Sequence, residues 1–304
     1  MRFSGKPRCV PIAILVGREY RRNDRFSLRC RSYSAVSIVL GPMAEAGFEL
    51  VCEVEPATRP DLKHVRHQIG VLSSIAGTFL IPDNHIGRAT VSSVAVAHEV
   101  EAMGGRSIAC LNARDRNLLG FQRDLLTAEA YGVDQFLLVR GDEPRVGSRT
   151  SELTVRTMLT EARSFESTLG LSGGRRLRLG AATGLGNLPA WKRDADFLFV
   201  QVGFSLEALL RWSERVQPQM AVYAGVIVLA SSAMARSLAQ TIPDIVIPSE
   251  LVDLVDRDPT AGIDVACDLL LAIRDSGVFQ GVHLIPVSCY RPVAARLEHL
   301  LDRP

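Results

Sequence analysis

One carboxylate in this chain stands where carboxylates are costly. Glu53 lies in the run Phe48-Glu49-Leu50-Val51-Cys52-Glu53-Val54, which is otherwise apolar apart from Glu49. A carboxyl held there is partly desolvated, which raises its pKa and fits it for general acid work near neutral pH. An outward or edge carboxylate, or one neutralised by an arginine in a structural pair, would read the same way, and both alternatives stand. A second block, Arg140-Gly141-Asp142, closes the apolar run Phe136-Leu137-Leu138-Val139. Glycine lets backbone approach a ligand while Asp142 offers an acceptor, although alone the block is also an ordinary turn. Other apolar runs end on Glu55, Asp83, Asn84, Asn112, Asp115, Thr183 and Gln201. His64 and His67 lie one helical turn apart with no third ligand near them, so they read as a solvated helix face and no metal is assigned.

Short apolar runs alternate with helix-period segments from Phe48 onward, the pattern of parallel strands joined by helical crossovers. The predicted strands are Phe48–Val54, Thr78–Ile81, Arg106–Leu111, Gln135–Arg140, Leu177–Ala182, Phe197–Gln201, Met220–Leu229 and Gly281–Pro286. Helix signals are sharpest in the third crossover. Asn117 offers an N-cap, Leu118, Phe121, Leu125 and Ala128 share one face, and Gly132 stops the helix. The run Phe136–Val139 is apolar without alternation, so both its faces should be covered, as in a parallel sheet. Eight such units predict an α/β fold, a closed (β/α)8 TIM barrel in a single domain, with the polar strand ends gathered at one mouth. An open doubly wound sheet is the runner-up, because Gly184-Leu185-Gly186 follows a strand. That turn lacks the third glycine of a dinucleotide-binding loop, and the helix after it is very short.

Charge is distributed unevenly. Up to Ser34 the chain has nine basic residues against Glu19 and Asp24, while the remainder carries a net −5. A targeting peptide and a nucleic-acid-binding tail are both readings of this arm. The favoured one is that residues 1–44 form a disordered basic extension, or that translation starts at Met43, with the catalytic barrel spanning 45–304. The negative barrel argues against a nucleic-acid partner. No run approaches the roughly 18 apolar residues of a membrane span. Six scattered cysteines without a C-x-x-C pair suit a reducing compartment, so the expectation is a cytoplasmic protein with no membrane partner. Barrels of this size often form a homo-oligomer, yet no interface stripe stands out.

At the polar strand ends the sequence resembles the methylenetetrahydrofolate reductase family. The matching pieces come in family order. Glu53-Val54-Glu55-Pro56 is similar to the first-strand acid motif, Asn112-Ala113-Arg114-Asp115-Arg116-Asn117 to the third-strand D-R-N segment, and Leu138-Val139-Arg140-Gly141-Asp142 to the fourth-strand R-G-D motif. Gln201 falls at the strand-six glutamine, and the likeness spans about Phe48 to Leu300.

The resemblance implies an oxidoreductase that reduces 5,10-methylenetetrahydrofolate to 5-methyltetrahydrofolate, with NADH or NADPH as hydride donor and FAD as carrier. On that footing Glu53 is the general acid, Asp142 contacts the pterin near the flavin, and Gln201 holds the folate substrate. Asn112, Asp115, Arg140, Thr183, Asn187 and Lys192 are the cofactor-binding set. The departures fall on the flavin side. Cys110 replaces a histidine, Thr183 an aromatic and Asn187 a histidine; Lys192 or Arg193 stands in for a phosphate-side lysine. Flavin-independent reduction of the same substrate is one alternative. Others are a different enzyme on the same scaffold and a redox-inactive folate-binding or regulatory barrel.

Overall fold

The apolar runs become eight parallel strands, each ending within about two residues of its predicted limits. They are β1 (Glu49–Glu53), β2 (Thr78–Ile81), β3 (Arg106–Asn112), β4 (Gln135–Val139), β5 (Arg178–Thr183), β6 (Phe197–Val200), β7 (Ala221–Ile227) and β8 (Gly281–Ile285). Each pairs with its neighbours in sequence, and β8 pairs with β1 through Glu49↔Gly281 to Cys52↔Leu284, so the sheet is a closed barrel. Closure settles the choice against an open doubly wound sheet. The computed structural model of the chain describes residues 47–169, 176–242, 245–258 and 260–301. The basic extension, residues 1–44, and its Met43 lie outside the described residues.

Nine helices among the described residues surround the strands: α1 (Lys63–Leu72), α2 (Ser93–Ala102), α3 (Leu118–Ala130), α4 (Val155–Leu169), α5 (Leu206–Val216), α6 (Ser232–Thr241), α7 (Ser249–Arg257), α8 (Ala261–Asp275) and α9 (Tyr290–Leu301). α3 follows its predicted signals. Asn117 caps it by accepting from Gly120 N at 2.8 Å, it buries Phe121, Leu125 and Ala128, and Gly132 follows it at φ 78°. A 3-10 turn, Ala190–Asp194, stands where a full helix would cross from β5 to β6. His64 and His67, on α1, pack edge-on against Tyr290 of α9, and Arg291 contacts His67 Nε2 at 2.6 Å. No helix among the described residues is long and apolar enough to cross a membrane.

The barrel is filled unevenly, and glycine makes room for the filling. Val51, Leu80, Ile108, Cys110, Leu137, Phe197, Phe199 and Tyr223 form the interior cluster. Three of these rings crowd onto β6 and β7, and the neighbouring strands carry glycine opposite them. A Cβ on Gly180 would lie 2.0 Å from the Phe197 ring, and one on Gly281 would lie 1.9 Å from Glu49 O and 3.0 Å from Tyr223. At the N-terminal end, Glu49 accepts from Thr78 Oγ1 at 2.6 Å, Arg106 at 2.7 Å and the Tyr223 hydroxyl at 2.5 Å. This polar plug lets the interior remain apolar up to the level of Glu53.

Two glycine substitutions should therefore act in opposite directions. Gly281→Ala should destabilise the barrel by roughly 2 kcal/mol or more, since backbone rather than a flexible side chain meets the added carbon. Gly70→Ala, on the exposed side of α1 with nothing within 4 Å, should stabilise it by roughly 0.5–1 kcal/mol. Urea unfolding of the three proteins measures both changes.

Candidate functional site

Strand register decides which polar residues meet at the mouth. Glu53 leaves β1 facing inward, two residues above Val51, and enters a cavity of about 550 Å³ with Cys110 of β3, Phe199 of β6 and His283 of β8. Asp142, in the loop after β4, and Gln201, just past β6, border the same cavity. Glu53 is therefore neither an outward carboxylate nor half of an arginine pair. The titratable side chain nearest its carboxyl among the described residues is His283, whose Nε2 lies 3.2 Å from Glu53 Oε2. Gln201 N donates to Thr183 O at 2.7 Å, and its side-chain amide makes no hydrogen bond among the described residues.

Beside the mouth runs a second cavity of about 630 Å³, walled by Leu138, Val139, Leu153 and Val155 and edged by Arg140, Arg149, Arg156, Lys192 and Trp191. Val139, Arg140 and Ala182 border both cavities. Arg149 pairs with Glu143 at 3.0 Å, whereas the guanidinium groups of Arg140 and Arg156 have no ion pair or hydrogen bond among the described residues. Lys192 Nζ donates to Ala182 O at 2.6 Å and lies 5.5 Å from the Trp191 ring centre. Its burial lowers the ammonium pKa below the usual lysine value. Cations without partners beside apolar walls suit a ligand with phosphates and a flat ring system.

Two predicted residues belong to the wall rather than the space. Asn112 is fully buried; its Nδ2 donates to Asp83 Oδ2 at 2.6 Å and to Asp115 at 3.1 Å, and its Oδ1 accepts from Asp115 N at 2.9 Å. Asp115 receives Arg114 Nε at 2.6 Å and Nη2 at 2.5 Å together with Asn84 Nδ2 at 2.8 Å. Arg114 reaches on to Asp142 O and Asn84 O, while Arg116 joins Asp83 to Asp124. The ends of β2, β3 and β4 are thus tied by two buried arginines. Gly141, at φ 83°, makes room for this wall: a Cβ there would lie 3.0 Å from Asn112 Cβ. Asp142 Oδ2 accepts from Ile86 N at 2.8 Å, leaving Oδ1 without a partner among the described residues.

Thr183 and Asn187 lie apart from the two cavities. On β5 the residue facing the mouth is Ala182; Thr183, one position on, is buried toward the helices. Asn187 is exposed in the following loop and borders neither cavity. His283 was the residue not singled out from sequence. Its signal was available, since a titratable side chain in the apolar strand Gly281–Ile285 is the same kind of anomaly as Glu53. Burial, with Glu53 and Asp83 nearby, pushes the Cys110 thiol well above its ordinary range, so it sits in the mouth as a protonated, weakly polar group.

No protein-family model matches the chain, and no curated protein matches it. Solved structures share its fold. An uncharacterised protein from Clostridium thermocellum that binds two copies of 5-methyl-5,6,7,8-tetrahydrofolic acid aligns over 83% of this chain and 95% of its own, at 10% identity and a TM-score of 0.58. A long-chain alkane monooxygenase aligns over 84% of this chain and 91% of its own, and EDTA monooxygenase from Chelativorans sp. BNC1 over 84% and 93%. Both are 10% identical, with a TM-score of 0.52.

The arginine wall gives a pH signature. Arg114's hydrogen bonds bring the Asp115 pKa down from 3.8 to about 2. A depressed carboxylate adds stability in full above its unfolded value, and that stability is lost as pH falls through the folded value. Asp115→Asn should therefore be less stable than wild type at about pH 5, with the gap narrowing as pH falls from about 4 toward 2. Urea midpoints at about pH 5 and about pH 2.5 check this, and a constant gap would contradict it.

Proposed function

We propose that this barrel is a methylenetetrahydrofolate reductase-like oxidoreductase, taking a reduced folate into the mouth and NAD(P)H as its source of hydride. The observation that carries the reading is the convergence of Glu53, Asp142 and Gln201 on one cavity, beside a groove edged by the unpaired side chains of Arg140 and Arg156. The fold shared with a barrel that binds 5-methyltetrahydrofolate supports a folate as ligand.

The residues divide the work by their chemistry. Opening the five-membered ring of the substrate requires a proton on the departing amine nitrogen, and Glu53 is the acid within the mouth. The N–H edge of a pterin requires a carboxylate acceptor, which the free Oδ1 of Asp142 offers. The uncommitted amide of Gln201 can both donate and accept along the same ligand. Apolar walls of Leu80, Leu137, Phe199 and Ile285 exclude water from the reacting carbon.

FAD fits the lateral groove by the chemistry of its donors. Arg140, Arg156 and Lys192 would hold its phosphates, and Trp191 and the aliphatic wall would cover a flat ring. When bound, the flavin supplies two-electron carriage from nicotinamide to folate. A second reading is favoured by Thr183 and Asn187, which stand outside the groove: the nicotinamide dinucleotide itself occupies it and hydride passes directly to the folate. The same cations serve either dinucleotide.

The expected result is that the purified protein, given NADH or NADPH and methylenetetrahydrofolate, forms methyltetrahydrofolate, and that Glu53→Gln slows this by about a hundredfold or more while folate still binds. A yellow protein bleached by the nicotinamide supports FAD as carrier; a colourless protein that makes product supports direct transfer. A colourless preparation that stays inactive with added flavin would overturn the reductase reading, as would a Glu53→Gln variant of full activity.

A further inference from the structure

His283 reaches the floor of the mouth from the middle of β8, with its side chain 9% exposed. Its Nε2 is enclosed and makes no hydrogen bond among the described residues, although Glu53 Oε2 lies only 3.2 Å away, off the line a hydrogen bond requires. Phe199 stacks on the imidazole with ring centres 5.1 Å apart and planes at 29°, which fixes the ring's plane. Glu53 is itself 15% exposed and has no arginine or lysine partner among the described residues. The other ionisable groups near it are taken. Asp83 is engaged by Arg116 and Asn112, and Cys110 is held as the thiol. A bare imidazole nitrogen beside a nearly buried carboxyl, within reach but out of line, is an arrangement that a small rotation would convert into a bond.

We propose that His283 is the positioning residue of the acid. Its Nε2–H, aligned on Glu53 Oε2 when ligand closes the mouth, claims that oxygen as an acceptor. The acidic proton is then carried on Oε1 and released from there. This rests on the reductase reading for its chemical step, in which Glu53 Oε1 gives its proton to the departing amine nitrogen. That nitrogen keeps the electron pair of the breaking C–N bond, and the lone pair of the second ring nitrogen forms the C=N bond of the iminium. Glu53 is left as a carboxylate in a site with little water. The bond from Nε2–H, now charge-assisted, compensates at the moment the charge appears. His283 itself gains and loses no proton in the step.

Two measurements test this, and the first does not depend on turnover. In 1H–15N spectra of the full protein with 5-methyltetrahydrofolate added, the wild type should show an exchange-protected imidazole N–H that is missing from His283→Gln and lost in Glu53→Leu. Absence of that signal in the wild type, or its survival in Glu53→Leu, overturns the proposal. In turnover, His283→Ala should lower kcat by about tenfold or more with KM for the folate changed less than about twofold, and His283→Gln, which keeps an N–H donor, should regain part of the loss. An unchanged kcat, or a loss confined to KM, overturns the positioning role. If the wild type does not turn over methylenetetrahydrofolate at all, the reductase reading fails, and the spectra still decide whether His283 and Glu53 form the bond.

Discussion

Arg114 and Arg116 leave the end of β3 two residues apart and turn under the rim of the barrel, with side chains 2% and 10% exposed. Guanidinium groups stay charged under almost any surroundings, so burying them obliges the fold to bring carboxylates and carbonyls to them. Arg116 draws in Asp83 from the end of β2 and Asp124 from α3; Arg114 draws in Asp115, Asn84 and the Asp142 carbonyl beyond β4. Removing one partner of such a pair typically costs about 3–5 kcal/mol, because the other charge is then left buried alone. The position of Asp142 at the mouth follows from this wall. The loop after β2 accepts a positive φ at Ile86, which a β-branched residue resists, while its amide bonds Asp142 and its carbonyl bonds Arg145.

Below the rim, size rather than charge sets the geometry. Phe197, Phe199 and Tyr223 fill the barrel from one side, and their contacts rise in sequence to the imidazole of His283. Glycines on β5 and β8 make that possible, since a side chain at Gly180 or Gly281 would take up the volume the rings occupy. The rings thus bring two titratable groups, Glu53 and His283, to the top of an apolar column. Polar chemistry is confined to one layer there, with the Glu49 plug satisfied separately at the opposite end.

The sequence carried the fold more fully than the site, and particular residues explain the difference. Parallel strands buried on both faces read as unbroken apolar runs, so Phe136–Val139 was recognisable, but such a run conceals which residues face inward. Hence Thr183 stood as a site residue although Ala182 faces the mouth, and an apolar run cannot reveal that one-residue difference. Asn112 and Asp115 looked like ligand contacts because they are polar and end a strand. Only the partners show that Asn112 is spent on the rim, and one of them, Asp83, comes from a loop 29 residues away in the chain. His283, by contrast, was legible by the argument that selected Glu53, since a lone imidazole in an apolar strand needs a reason to be there.

The junction of the two cavities bears most directly on how the proposed reaction would run. They share Val139, Arg140 and Ala182, so under that proposal a ligand in the groove would meet a ligand in the mouth over a small, largely apolar border. Ala182 is the smallest side chain that could stand there, and Lys192 is tied to its carbonyl, which holds the cation at the groove's inner end. Hydride transfer needs the donor and acceptor carbons within van der Waals contact and water excluded, and a low wall at Ala182 provides for both. A bulkier residue facing inward on β5 would instead separate the rings. What the proposed chemistry asks of β5 is therefore a side chain no larger than a methyl at one position, while the cations that would grip a dinucleotide are supplied by the loops on either side.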